Sequence, residues 1–111
     1  MWRLMSGLVV AAAAAAVMAQ EHAHGTAEGA TAGYAAAKAR MHEAMAIEYS
    51  GDPDVDFARA MIPHHEGAID MAEVLLANGK DPTLRQLAEE IISAQKREIA
   101  VLEQWLADHA K

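Results

Sequence analysis

The sequence predicts an all-α protein, an antiparallel bundle of about three helices. Three observations predict it. Apolar residues beyond position 54 recur three and four apart, the period of one helix face, with no alternating strand pattern. Helix breakers cluster at two places, "SGDPD" (50–54) and "GKDP" (79–82), and divide the chain there. The second break leaves only Lys80-Asp81 as a link, which suits an antiparallel hairpin.

The first element is not read as part of the fold. "MWRLMSGLVVAAAAAAVMA" has one early charge, Arg3, then an apolar run from Leu8 to Ala19. It ends in Val17-Met18-Ala19, a small-x-small pattern. This is the layout of a signal peptide over residues 1–19, short of the roughly 20 apolar residues that span a bilayer. It implies export, to the periplasm or outside the cell. Residues 20–33, "QEHAHGTAEGATAG", read as a flexible, His-containing leader.

A helical metal-binding domain is expected over 34–111. Its first helix runs from about Tyr34 to Tyr49, rich in alanine, with Tyr34, Met41, Met45 and Glu48 near one face. The second runs from about Asp54 to Asn78, capped by Asp52 or Asp54. Phe57, Met61, His64, Ala68, Met71 and Leu75 are spaced 4, 3, 4, 3, 4, which predicts one buried seam. Ile62, His65, Ile69, Ala72 and Leu76 form the adjoining row. Gly79 is expected to end the helix in a left-handed conformation. The third helix opens at Asp81-Pro82 and continues to about His109. Its row Ala88, Ile91, Gln95, Glu98, Leu102, Trp105 carries two polar residues in an apolar seam.

Charge and composition narrow the function. The chain has 9 basic and 16 acidic residues and a net charge of −7. An acidic surface argues against nucleic acid and anionic membrane as partners and is compatible with cations. Cysteine is absent, so there is neither a disulfide to support a small exported domain nor a thiol nucleophile. Self-association into a homodimer is one way to complete so thin a core.

The string "MIPHHEGAIDM" (61–71) carries the candidate chemistry. Pro63 removes one backbone N–H and crowds the Arg59 carbonyl, at about 3 kcal/mol in a helix interior. A kink at Pro63 is expected, with Gly67 loosening the same turn. His64 follows Met61 by three residues and His65 by four, and Met71 lies seven beyond His64. Such separations share a helix face. Thioether with imidazole is a soft-to-borderline ligand set that suits Cu(I) and Ag(I) better than hard ions. The first helix adds Met41, His42 and Met45 in "MHEAM". Antiparallel packing could bring them to the same turn. Glu98 could pair with a histidine. In the leader, cleavage before Gln20 would place His22 third, able to form a square-planar Cu(II) site to which His24 could add a ligand.

Enzyme signatures are sparse. There is no G-x-S-x-G, no phosphate loop, and "HHEGAID" is not H-E-x-x-H. The single Glu-x-x-His, Glu21 to His24, lies in the leader, so a di-iron oxidase is poorly supported. A non-enzymatic metal-binding protein is the leading reading. A structural or interaction module of the cell envelope, with the histidines as hydrogen-bonding groups, is the alternative.

The stretch from Asp54 to Leu106, with "DFARAMIPHHEGAIDMA" at its start, resembles family 305 of the domains of unknown function, and "MHEAM" resembles that family's upstream Met/His segment. The resemblance implies a ferritin-like helical bundle in the periplasm or at the cell surface. Members of its CopM type bind copper and aid copper resistance, which would involve a metal-efflux or copper-delivery partner. Carried across, the implied ligands are Met41, His42, Met45, Met61, His64, His65 and Met71. Leu102 stands where the family's last helix often has methionine, which leaves a ligand from that helix in doubt.

Overall fold

The computed structural model describes residues 25–110. The signal-peptide segment and the leader histidines His22 and His24 lie outside that range. Three helices follow in order: α1 (Ala27–Ala44), α2 (Pro53–Asn78) and α3 (Pro82–His109), with no strand among the described residues. The all-α expectation holds.

Both Asp-Pro starts form as their chemistry dictates. The Asp52 carboxylate accepts from the Asp54 and Val55 amides, and that of Asp81 accepts from the Leu84 amide. Each proline then fills a first-turn position, where an N–H would have no partner. Asp56 secures the loop before α2, accepting from the Ser50 amide and hydroxyl and from the Gly51 amide. The Ser50 amide is the main reason that its carboxyl is held below the usual carboxylate range.

Helix α1 is displaced from its expected span of Tyr34–Tyr49. It starts at Ala27 because Thr26 Oγ1 caps the Gly29 amide at 2.9 Å. Much of the Gly-rich stretch read as leader is therefore helical. Helix α1 ends at Met45, whose N–H bonds the Met41 carbonyl. Residues 46–50 leave the helix for the Asp56-held loop, so Glu48 and Tyr49 are not on α1.

The end of α2 also differs from expectation. Gly79 is extended (φ −80°, ψ 156°), not left-handed. Arg85 reaches back from α3 and donates to the carbonyls of Leu76 (2.8 Å) and Gly79 (3.0 Å). That side chain satisfies carbonyls a left-handed cap would otherwise serve. Among the described residues the left-handed glycine is Gly51, at φ +91°. Pro63 leaves α2 unbroken, and its ring is buried.

Helix α2 is the centre of the fold. It packs against α1 on one side and α3 on the other, and the backbones of α1 and α3 stay apart from each other. Small residues set these approaches. Gly67 lies beneath the Met41 side chain, and a Cβ there would sit 2.5 Å from Met41 Sδ. One at Gly33 would sit 2.9 Å from Val74 Cγ2. Asp70 pairs with Arg40 across the same interface at 3.3 Å. Ala37, Val55, Ala58, Ala72 and Ala88 form the fully buried apolar set.

This layout overturns the expectation of a buried seam. Phe57 is 61% exposed and Met71 48%, and His64 is exposed. Met61, Ala68 and Leu75 are half-buried. The seam runs along the side of α2 left open between its two neighbours. The helical period holds. The covered side differs, because α1 and α3 dock through alanine and glycine rather than through the large residues.

Candidate metal centre

The two adjacent histidines of α2 have different surroundings. One residue step turns a helix by about 100°, so His64 and His65 point apart, with ring centroids 6.1 Å apart and planes at 59°. His64 lies on the open seam and is exposed. His65 faces α3, with 12% of its side chain exposed. Its Nε2 lies 2.8 Å from Glu98 Oε2. Glu98, one of the two polar residues in the apolar row of α3, thus pairs with a histidine and joins α2 to α3.

His65 Nδ1 is buried and has no hydrogen-bond partner among the described residues. A buried polar nitrogen without a partner costs about 1–3 kcal/mol. Where Glu98 Oε2 accepts a hydrogen bond from Nε2–H, a neutral ring holds its lone pair on Nδ1. Carboxylate on one ring nitrogen and metal on the other is a recurring arrangement of ligating histidines. Met61, the nearest thioether on α2, is half-buried one turn before His65.

The other expected ligands are spread over both helices. Met41 is half-buried on Gly67, one turn beyond His64. Antiparallel packing thus brings "MHEAM" alongside the 61–71 segment, as anticipated. Met45 is half-buried at the α1 C-cap, and His42 is exposed. Met71 does not share a site with Met61 inside one chain. Ten residues of helix separate them by about 15 Å, and helical side chains lean the same way along the axis. Bonds from nitrogen and sulfur to a first-row metal run about 2.0–2.3 Å, so one ion cannot reach both.

Among the described residues, no three histidine or acidic side chains converge to hold a metal ion. The donors near the histidine turn are thioethers with isolated imidazoles. That is a soft set, unlike the oxygen cages that hard cations need.

Two residues gain roles that the sequence reading did not assign. Gly67 seats Met41, and Arg85 caps α2. A glycine inside a strongly helical segment signals close approach of another element. Nothing in the sequence marked Arg85.

Two comparisons place the chain among known proteins. A 46-residue stretch, 41% of this chain, is 44% identical to the uncharacterized protein L153 of Acanthamoeba polyphaga mimivirus. The matched part is 30% of that relative's length, so the chain spans well under half of it. The family described as a domain of unknown function, DUF305, matches residues 3–109. That match covers nearly the whole chain and includes both Met/His segments, and the protein is a member of the DUF305 family.

Proposed function

We propose that this is an exported, non-enzymatic protein that binds Cu(I), and also Ag(I), through methionine and histidine. It would buffer or chaperone the ion, or confer copper resistance. The observation that carries the reading is His65 Nδ1, a buried nitrogen with no protein partner, on a ring oriented through its other nitrogen by Glu98. Met61 is the first thioether beside it, with His64 on the same turn. Met41 and Met45, brought alongside by α1, extend the soft donor set. Thioethers bind without losing a proton and do not form disulfides, which suits an exported compartment. The export itself rests on the pattern of residues 1–19.

A competition titration of the full chain with a Cu(I) chelator tests this reading. The wild-type protein should withdraw Cu(I) from the chelator. A Met61→Leu/His64→Ala/His65→Ala variant of unchanged helicity should lose that ability. Equal affinity in both would rule out this site.

The His65–Glu98 bond also favours a second reading, in which the histidine only ties α2 to α3 in an interaction module of the cell envelope. Thermal melts separate the two. Cu(I) raises the melting temperature only if it binds the native state.

A further inference from the structure

The open seam of α2 is symmetric about its own centre. Its six residues, Phe57, Met61, His64, Ala68, Met71 and Leu75, carry no acidic or basic side chain other than the imidazole, in a chain of net charge −7. The spacing 4, 3, 4, 3, 4 reads the same in both directions. If a second α2 lies antiparallel across the seam, centred on Glu66, every layer is filled. Phe57 then faces Leu75 of the second copy, Met61 faces its Met71, and His64 faces its Ala68. The large imidazole meets the smallest residue of the set. Antiparallel helices interlock through this alternation of seam positions.

The exposed surface is also of the right kind. Tyr34, Met71, Leu84 and Leu87 border a groove at one end of the seam. Phe57 and Val101 border another beside Trp105 at the other end. With Phe57 61% and Met71 48% exposed and three of the others half-buried, the six leave on the order of 400 Å² open. That lies within the roughly 300–600 Å² of the largest apolar patch on a monomer. Together with the exposed parts of Tyr34, Leu84, Leu87 and Val101 beside it, the open surface approaches the roughly 800 Å² that each partner gives to a stable interface. Among the described residues of one chain, by contrast, no large side chain is fully buried.

We propose that two copies pair antiparallel along this seam, and that each Cu(I) site draws on the Met61–His65 turn of one copy, with Met61, His64 and His65, and on Met71 of the other. The shared site rests on the metal-binding reading above. It explains how Met71 can serve as a ligand at all. Met61 and Met71 of one chain are too far apart along α2 to hold the same ion. The antiparallel register places them directly opposite, one turn from His64. Two equivalent sites result, related by the two-fold axis.

The register can be tested by disulfide trapping, since the chain has no cysteine of its own. A F57C/L75C double variant should give a covalent dimer under mild oxidation, and either single variant should not. In the single variants the two sulfurs would be about 27 Å apart along the axis. The shared site is tested by mixing M61L/H64A with M71L after unfolding and refolding together. Each variant alone should lose tight Cu(I) binding. Their mixed dimer should recover one ion where the wild-type dimer holds two, because one of its sites is intact. Circular dichroism of each variant confirms that it folds. Wild-type protein that sediments as a monomer at all concentrations overturns the pairing, as does crosslinking by F57C alone. A mixture that binds no more Cu(I) than its parents overturns the shared site. Wild-type protein that forms the trapped dimer but takes up no Cu(I) overturns the metal reading and the shared site with it, leaving the register standing.

Discussion

Toward its neighbours α2 presents Ala58, Pro63, Gly67 and Ala72, all buried, whereas along the seam it presents Phe57, Met61, His64 and Met71, none of them buried. Burial usually selects the large apolar residues. Here the small ones are covered, because alanine and glycine let α1 and α3 approach closely. The large ones are left on the side where the proposed ligands Met61, His64 and Met71 also lie. One side of the helix holds the chain together, and the other is available for a ligand or a partner. Substitutions on the two sides should therefore fail in different ways.

The largest effect on stability is expected on the closely packed side. Ala37 and Ala88 are 1% and 2% exposed, so Ala37→Leu or Ala88→Leu should cost about 1–3 kcal/mol by overpacking. For a domain of this size each kcal/mol lowers the melting temperature by about 4–8 °C, which calorimetry can read. On the open side, Met71→Leu is nearly isosteric and should leave the metal-free melt almost unchanged while weakening Cu(I) binding. A large loss of metal-free stability in Met71→Leu would erase the distinction between the two sides.

The cap at the α2–α3 turn comes next. Asp81→Ala removes the acceptor of the Leu84 amide and should cost about 1 kcal/mol in chemical denaturation. Glu98→Ala sharpens the comparison from the middle of the molecule. Its carboxylate is more than half exposed, so its removal should cost less than about 1 kcal/mol. As the partner that orients His65 it should nevertheless reduce Cu(I) affinity by about 10–100-fold. A loss of stability without a loss of affinity would assign the bond to structure alone.

The smallest effect is a pH dependence at the α2 entry. The Asp56 carboxyl is held below its usual value by the Ser50 and Gly51 donors. It therefore binds fewer protons in the folded state than in the unfolded state at acid pH. Its contribution is complete above the ordinary aspartate range and is lost as pH falls through the lowered folded value. Asp56→Asn should lower stability slightly at neutral pH and leave acid pH less affected, which flattens the acid limb of the stability profile.

The second and third helices were legible because their signals are local. Asp52-Pro53 and Asp81-Pro82 announce helix starts through cap chemistry, and the 3–4 spacing reports the helical period. Helix α1 was misplaced because its cap, Thr26, sits in a Gly-rich stretch of low apparent order, and its end is set by Asp56 from another element. The seam was recognised as a seam but assigned to the interior. Periodicity shows which residues share a face, not which face a neighbour covers. Two polar residues in an apolar row open the possibility that Glu98 pairs with a histidine, without saying which one. That His65 rather than His64 takes that partner follows from the 100° step between them and the position of α3.

The most direct test of the metal reading is X-ray absorption at the copper edge on the Cu(I)-loaded full chain. A first shell of mixed sulfur and nitrogen scatterers is expected, with the sulfur contribution reduced in Met61→Leu. A shell of nitrogen and oxygen alone, or one unchanged in Met61→Leu, would contradict it.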